Sequence, residues 1–364
     1  MAKTESRAVG CDLGTAFYQV AEKSPDNSIK LQSIRNAFVE MFAAEDIEET
    51  LKRNNWSYIK DDENFYVVGE DAIKVARMFP GKVEIRRPLA DGVLNKGEDK
   101  KLLVIDYLVN STIGNAPDDS SLITTCISSP SADGSQDSEF HKKRLEAIFK
   151  SKGWNVKIID EAFAIILSER PVYKETDGTE SPYSGISISL GGGRANCVLA
   201  YKGVQITGMS VARAGDYLDK MVSTDTGVSL AQCANYKETK LDFDNLDFDN
   251  DVAFAYDAYY SAAIKYILDH FAKKFKEVKS EFDNPLDVIV AGGTSMPKGF
   301  IKKFKNVIKE LSLPFKIGEV RHAKDPRNAV VEGCMAHAIA SQKKLQKDLK
   351  EKKKEEELKE ILGN

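Results

Sequence analysis

Two passages of the sequence repeat one pattern: a short run of alternating apolar residues, a glycine turn and a second apolar run. The first passage, residues 7–22, turns at Gly14, and the second, residues 185–201, turns at residues 191–193. Alternation of this kind predicts antiparallel strands on the two sides of each turn. The passages lie about half the chain apart, which predicts a molecule built from two related halves and not a solenoid repeat.

Strands and helices are predicted to alternate elsewhere, because the apolar residues switch between helical spacing and short buried runs. The predicted helices are residues 99–111, 139–152, 162–168, 254–278 and 297–311, with another beginning at 219, and the predicted strands are residues 122–127, 156–159 and 286–291. For the helix over 297–311, Thr294 or Ser295 is the expected N-cap. This alternation favours α/β sheets that helices cover on both faces.

The composition excludes several classes of protein. Lys and Arg number 52 and Asp and Glu 56, for a net charge of −4, so we expect no nucleic-acid partner held by a positive field. No apolar run approaches the ~18 residues of a membrane span, and no signal-peptide core is visible, so we expect no direct membrane insertion. The five cysteines and four histidines are scattered, which predicts a cytoplasmic location and no zinc site.

Two charged segments need separate interpretations. Residues 241–250 repeat Leu-Asp-Phe-Asp-Asn in tandem, but they lack the glycine and closing glutamate of a calcium loop, so we predict a solvated acidic loop. Residues 341–364 are dense in Lys and Glu, which predicts a solvated helical tail. A helix that recruits an adaptor protein is the alternative for this tail.

Three glycine turns follow predicted strands, at residues 12–15, 191–194 and 292–295. Phosphate needs backbone N–H groups brought close to it, and glycine removes the Cβ that would block the approach. A carboxylate such as Asp12 beside such a turn can hold Mg²⁺ through water. None of the turns is a Walker A loop or a G-x-G-x-x-G fingerprint. The ordered set of turns is therefore more specific than any one of them.

In this order the chain resembles the actin, sugar-kinase and seventy-kilodalton-chaperone ATPase superfamily, over residues 7 to about 340. Residues 12–15 are similar to the first phosphate loop of that superfamily and residues 191–193 to the second. The other matching segments are residues 160–164 (connecting helix), 214–219 (ribose turn), 290–295 (adenosine motif) and 325–333 (final connector). Residues 87–93, Arg-Pro-Leu-Ala-Asp-Gly-Val, are similar to a segment of the bacterial actins MreB and MamK.

The resemblance implies an α/β fold class, a duplicated actin-like fold in which two lobes of mixed sheets flanked by helices enclose a nucleotide cleft. The first lobe is expected at residues 1–155 plus 326–340, with a small subdomain at about 32–98. The second is expected at residues 156–325, with a small subdomain at about 216–285, and the tail follows at 341–364.

The resemblance also implies that ATP or ADP binds with Mg²⁺ in this cleft. Asp12 would hold the water shell of the metal ion and Glu161 would orient the attacking water, so these two are the expected catalytic residues. The other expected nucleotide contacts are Gly14, Thr15, Gly191, Gly192 and Gly193 at the phosphates, Gly215 and Asp216 near the ribose, Lys237 near the base, and Gly292, Gly293 and Thr294 around the adenosine.

Plainer interpretations stay open for some of these residues. Glu161 could be a first-turn acid that the helix dipole favours, Asp216 could cap a helix, and Lys237 could be solvated. The second loop departs from the family, which usually begins it with Asp and ends it with two Thr; Ser189, Arg194 and Ala195 stand there. Arg194 could contact a phosphate, solvent or a neighbouring subunit. We therefore expect nucleotide binding with slow hydrolysis.

The function implied is that of a cytoplasmic, cytoskeletal protein that polymerises into a filament of its own copies. Binding of ATP would close the cleft and hydrolysis would weaken an open, head-to-tail polymer. Similarity to MamK implies the positioning of organelles or cell components. A sugar-type kinase of the same superfamily is the alternative, although no sugar-contacting motif is visible; a chaperone ATPase would need a further domain. The cargo and the preference between ATP and GTP are left open.

Overall fold

The computed structural model describes residues 6–362 except 25, 27, 62, 80, 81, 136, 137, 171, 175–178, 279–281 and 283. The strands are β1 Ala8–Leu13, β2 Phe17–Lys23, β3 Ile29–Arg35, β4 Phe38–Phe42, β5 Tyr58–Lys60, β6 Asn64–Val68, β7 Leu89–Ala90, β8 Val93–Leu94, β9 Leu122–Ile127, β10 Asn155–Asp160, β11 Val172–Lys174, β12 Glu180–Pro182, β13 Gly185–Leu190, β14 Ala195–Tyr201, β15 Val204–Val211, β16 Leu286–Ala291 and β17 Ile317–His322. The helices are α1 Glu45–Arg53, α2 Glu70–Met78, α3 Lys101–Thr112, α4 Glu139–Ser151, α5 Glu161–Glu169, α6 Gly215–Thr226, α7 Leu230–Thr239, α8 Asp251–Phe275, α9 Phe300–Lys309 and α10 Ala329–Leu362, with a 3₁₀ turn at Gly293–Ser295.

Two five-stranded mixed sheets have the same topology. The first has the order β10-β9-β1-β2-β3 and the second β15-β14-β13-β16-β17. In the first sheet, β1 forms an antiparallel hairpin with β2 and pairs in parallel with β9. In the second, β13 forms an antiparallel hairpin with β14 and pairs in parallel with β16. The two related halves that the repeated glycine turns predict are therefore confirmed at the level of the sheets.

Helices α5 and α10 lie between the two sheets. A buried cluster that includes both helices also contains Cys126 of β9 and Val198 of β14, one strand from each sheet. The approach is close, because a Cβ built on Gly333 of α10 would lie 1.8 Å from the carbonyl oxygen of Ala164 in α5. Small residues at these points let the helix backbones meet, and this contact sets how the two sheets face each other.

Each large sheet is accompanied by a smaller unit. Strands β4, β6 and β5 form a sheet over which α1 and α2 close a separate apolar cluster, and helices α6, α7 and α8 pack against the second large sheet. Strand β4 is an edge strand in which Phe42 is 74% exposed. The lobe and subdomain boundaries given above stay predictions.

Several local predictions need correction. The helix predicted from 297 begins at Phe300 with Gly299 as its N-cap, because Thr294 and Ser295 lie in the 3₁₀ turn. Helix α6 begins at Gly215, four residues earlier than predicted. Strands β3, β5–β8, β11, β12, β15 and β17 and helices α1 and α2 were not predicted.

The two charged segments have the predicted form. Residues 241–250 are a loop whose Asp242 pairs with Lys298. Helix α10 continues into the tail, where the side chains of residues 350–356 are exposed. Within the described ranges, no helix is both long and apolar enough to cross a membrane.

Candidate functional site

The two repeated glycine turns face each other. In the first, the Gly14 N–H donates to the Phe17 carbonyl oxygen at 2.9 Å, and in the second, the Gly191 N–H donates to the Arg194 carbonyl oxygen at 3.0 Å. The position of a Cβ on Gly192 lies 3.3 Å from the Cβ of Ala16. The β1–β2 turn and the β13–β14 turn thus approach each other closely across the space between the sheets.

Four backbone N–H groups at these turns donate to no protein acceptor within the described part of the chain; they belong to Thr15, Ala16, Gly192 and Gly193. Thr15 and Gly193 are buried. A buried N–H group without an acceptor is costly, and successive N–H groups at a turn form a concavity that binds anions. The donors therefore fit the oxygens of a phosphate tail.

Two carboxylates lie at the base of the turns. Asp12, in β1, accepts a weak hydrogen bond from the Cys126 thiol at 3.4 Å, and burial raises its pKa to about 6. Burial and the charge of Asp12 together raise the pKa of Glu161 to about 8. Two carboxyl groups that oppose each other's ionisation would both be stabilised in the charged form by a cation bound nearby. No group of three or more His, Cys, Asp or Glu side chains converges in the described residues, and Mg²⁺ often binds through water to one or two carboxylates.

Glu161 is directed toward the second sheet. Its carboxylate accepts from the Ser189 hydroxyl at 2.7 Å and from the Asn196 side-chain amide at 2.9 Å. The cap of α5 is supplied by the neighbouring Asp160, whose side chain accepts from the Ala162 N–H at 3.0 Å. Glu161 is therefore more than a first-turn acid, and Ser189 and Asn196 hold its orientation.

Arg194 does not point to solvent, since only 2% of its surface is exposed. Its Nε donates to the Asp91 carbonyl oxygen at 2.5 Å and its Nη1 to the Ser210 hydroxyl at 2.9 Å. The Ser210 hydroxyl in turn donates to the Ser129 carbonyl oxygen at 2.7 Å. The guanidinium is thus held by protein oxygens behind the second turn, and the solvent interpretation of Arg194 is wrong.

The residues expected around the nucleoside converge on Gly191. The Gly215 N–H donates to the Gly191 carbonyl oxygen at 3.1 Å, and the Thr294 hydroxyl donates to the same oxygen at 2.7 Å. A Cβ on Gly215 would lie 3.0 Å from Nζ of Lys237. Gly292 has φ +96° and leaves no room for a side chain beside Leu190, whereas Gly293 faces open space.

Two charged residues have partners that the sequence did not reveal. Lys237 is 8% exposed and pairs with Asp219 at 2.8 Å, and it also donates to the Gly215 carbonyl oxygen at 3.1 Å, so Lys237 is not solvated. Asp216 accepts from Arg87 at 2.9 Å. Asp219 and Arg87 lie inside motifs already noted, but their pairing joins segments far apart in the chain and no local pattern indicates it.

Comparisons with known proteins place the fold. A family model described as Volactin matches residues 7–338, while a comparison with curated proteins found no match. The MamK double helical filament is 18% identical with a TM-score of 0.66, and the match covers 92% of this chain and 99% of that chain.

Two structures of MreB 5 of Spiroplasma citri are also similar. The one bound to AMPPNP is 14% identical with a TM-score of 0.67, covering 96% of this chain and 99% of that chain. The one bound to ADP is 16% identical with a TM-score of 0.65, covering 94% and 98%. The actin-like fold predicted from the sequence, of the MreB and MamK type, is confirmed.

Proposed function

The chain belongs to the Volactin family, and from this premise we propose that it binds ATP with Mg²⁺ between its two lobes and polymerises into cytoskeletal filaments. The observation that carries the proposal is the set of unpartnered N–H groups on two facing glycine turns. The solved neighbours support it, because the MamK structure is described as a double helical filament and the MreB 5 structures as bound to AMPPNP or ADP.

The backbone carries most of the phosphate recognition. The N–H groups of Thr15 and Ala16 approach the phosphates from one lobe and those of Gly192 and Gly193 from the other, so one anion holds both lobes. Mg²⁺ supplies positive charge that neutralises the phosphate oxygens. Asp12 would accept hydrogen bonds from water bound to that ion. Gly215, Thr294 and Gly293 border the space left for the nucleoside.

Glu161 is the residue that orients and deprotonates the attacking water. With a pKa of about 8, its carboxyl group holds a proton at neutral pH and cannot accept another. A cation nearby would favour the ionised form, so a loaded site would make Glu161 the better base. Hydrolysis is expected to be slow, since Ser189 supplies a hydroxyl where the family usually has a second carboxylate.

The larger role follows from the polymer. A head-to-tail contact between copies does not close on itself and therefore makes an open filament. Such a filament would lie in the cytoplasm and position organelles or other cell components, and the exposed end of α10 is a surface on which an adaptor protein could bind.

Electron microscopy and calorimetry of the purified protein test the proposal. We expect heat on titration of MgATP and filaments above a critical concentration that depends on the nucleotide. Absence of binding to both MgATP and MgGTP would exclude the nucleotide site. Phosphorylation of a sugar panel without any polymer would favour the kinase alternative.

A further inference from the structure

The short hairpin of β7 and β8 reaches the centre of the site. Its two-residue turn consists of Asp91 and Gly92, both with positive φ (+48° and +73°). Left-handed conformation at both positions is the type I′ turn, for which Asp-Gly is a favoured pair. This 91–92 turn is part of the Arg-Pro-Leu-Ala-Asp-Gly-Val segment, to which the proposed function gives no role.

Hydrogen bonds join the 91–92 turn to both glycine turns. The Gly92 N–H donates to the Thr15 hydroxyl at 3.1 Å, which ties it to the β1–β2 turn. The Asp91 carbonyl oxygen accepts from Nε of Arg194 at 2.5 Å, which ties it to the β13–β14 turn. One two-residue turn therefore contacts the phosphate-binding backbone of both lobes.

The three turns pack without room for one more methyl group. A Cβ on Gly193 would lie 2.4 Å from the Gly92 nitrogen and 2.5 Å from the Thr15 hydroxyl oxygen. A Cβ on Gly92 would lie 2.8 Å from Cγ of Arg194. The spacing of the three turns is thus fixed where Gly193 meets Gly92 and Thr15, and where Gly92 meets the aliphatic part of the Arg194 side chain.

We propose that the 91–92 turn and Arg194 form an interlobe clasp that sets the spacing of the two phosphate-binding turns. The inference rests on the proposed function and assigns Arg194 a positioning role in place of a phosphate contact. A guanidinium suits this role because its planar fork donates in two directions at once, here to Asp91 and to Ser210. A lysine ammonium is a point charge and does not reproduce the fork.

Calorimetry with MgATP, below the concentration at which polymer forms, tests the clasp. Arg194→Met keeps the apolar stem and removes the fork, and Gly92→Ala displaces the stem. Each is expected to raise the dissociation constant for MgATP by about tenfold or more, the loss that follows removal of a hydrogen bond to a charged group. Gly227→Ala is the control matched for backbone conformation, because Gly227 has φ +71° and nothing within 4 Å of its Cβ position. The affinity of this variant for MgATP should equal that of the parent.

Hydrogen exchange supplies a readout that does not depend on the nucleotide. In the parent, the Gly92 amide should exchange slowly, since it donates to Thr15, and in Arg194→Met and Gly92→Ala it should exchange at least about tenfold faster. Unchanged exchange at residues 89–94 in both variants would overturn the clasp. If Arg194→Met does not fold, Ser210→Ala removes one partner of the guanidinium and should shift exchange in the same direction.

Two further variants separate the clasp from other roles of Arg194. Restoration of parent affinity by Arg194→Lys would overturn the proposal, because charge alone would then suffice. The double variant of Gly92→Ala with Arg194→Met should lose no more affinity than the more severely affected of the two single variants, because two changes to one contact are not additive. Additive losses of affinity would also contradict the proposal. Failure of the parent itself to bind nucleotide would refute the proposed function, whereas unchanged affinity in the variants of a binding-competent parent refutes only the clasp.

Discussion

The carboxyl group of Glu161 shows how one residue depends on its surroundings. The local sequence suggests a first-turn helix acid, yet the side chain accepts from Ser189 and Asn196, which belong to β13 and β14 of the second sheet. Burial and the charge of Asp12 then raise its pKa from 4.5 to about 8. Between these values the folded protein holds a proton that the unfolded chain has released, so folding stability falls as pH rises through this range.

Glu161→Gln removes this titration and should therefore reduce the decrease of folding stability with rising pH. We expect the stability of the variant, relative to that of the parent, to be higher at pH 8.5 than at pH 5.5. The rate of ATP hydrolysis should decrease by about 10²-fold or more, as for loss of a general base. Thermal unfolding at the two pH values and phosphate release are the measurements. An equal difference in melting temperature at both pH values would show that Glu161 does not titrate with a raised pKa.

Ser189 is the position at which the second loop departs from the superfamily. Ser189→Asp would place another carboxyl group within hydrogen-bond distance of Glu161, where burial and like charge both oppose ionisation. Without metal ion we expect a loss of about 2 kcal/mol or more in the free energy of unfolding, with part of it recovered in MgATP. Ser189→Ala, which adds no charge, is the control. Urea unfolding in EDTA and in MgATP checks the prediction, and a loss that MgATP does not reduce would contradict it.

At the scale of elements, close backbone contacts decide where helices lie. Gly10 of β1 and Gly333 of α10 have no sequence signal beyond being glycine, but a Cβ on Gly10 would lie 2.2 Å from the Met335 nitrogen. The contact brings α10 down onto the first sheet. The sequence predicts a helix only over the charged tail, residues 341–364; only the packed structure shows that α10 begins at Ala329 and that its backbone touches β1 and α5.

Gly333→Ala should therefore be severely destabilising. The new methyl group would meet the Ala164 carbonyl oxygen at 1.8 Å, and backbone on both sides cannot move without separating α5 from α10. We expect a loss of about 3 kcal/mol, the upper part of the range for overpacking. Gly293→Ala, with open space at its Cβ position, should lose less than about 1 kcal/mol. Chemical denaturation of both variants decides the matter, and equal losses would contradict the packing argument.

At the scale of the molecule, ion pairs cross from one lobe to the other. Arg87 pairs with Asp216 at 2.9 Å, and Arg35 lies 3.6 Å from Glu238. The Arg87 and Asp216 side chains are 35% and 37% exposed, so solvent screens their pair and its contribution to stability is small. We therefore expect such pairs to bias the relative position of the lobes more than they stabilise either lobe.

The double variant Arg35→Ala with Arg87→Ala should separate the effect of the pairs on stability from their effect on the position of the lobes. We expect the free energy of unfolding to fall by less than about 1 kcal/mol for each pair, while the nucleotide-free protein becomes more open. Small-angle scattering should show a larger radius of gyration, and high salt should have the same effect on the parent. Lys298→Ala, which breaks the surface pair with Asp242, is the control and should leave the radius unchanged.

The amino-acid sequence by itself determined the repeated hairpins, strands β9, β10 and β16, helices α3–α6, α8 and α9, the acidic loop and the charged tail, because these depend on periodicity and on local turn chemistry. It also indicated the glycine turns of the site. Strands β3, β15 and β17 were not predicted, since each lies at the edge of its sheet, where few of its side chains are buried and the apolar alternation is weak.

The tertiary structure alone decided how those parts are used. It assigned Arg194 to Asp91 and Ser210, Lys237 to Asp219, and Glu161 to Ser189 and Asn196. Each of these partnerships joins residues from separate segments, where desolvation makes an unpaired polar group costly. Which partner satisfies a buried group depends on what the fold brings within ~3 Å, and no pattern local to the chain contains that distance.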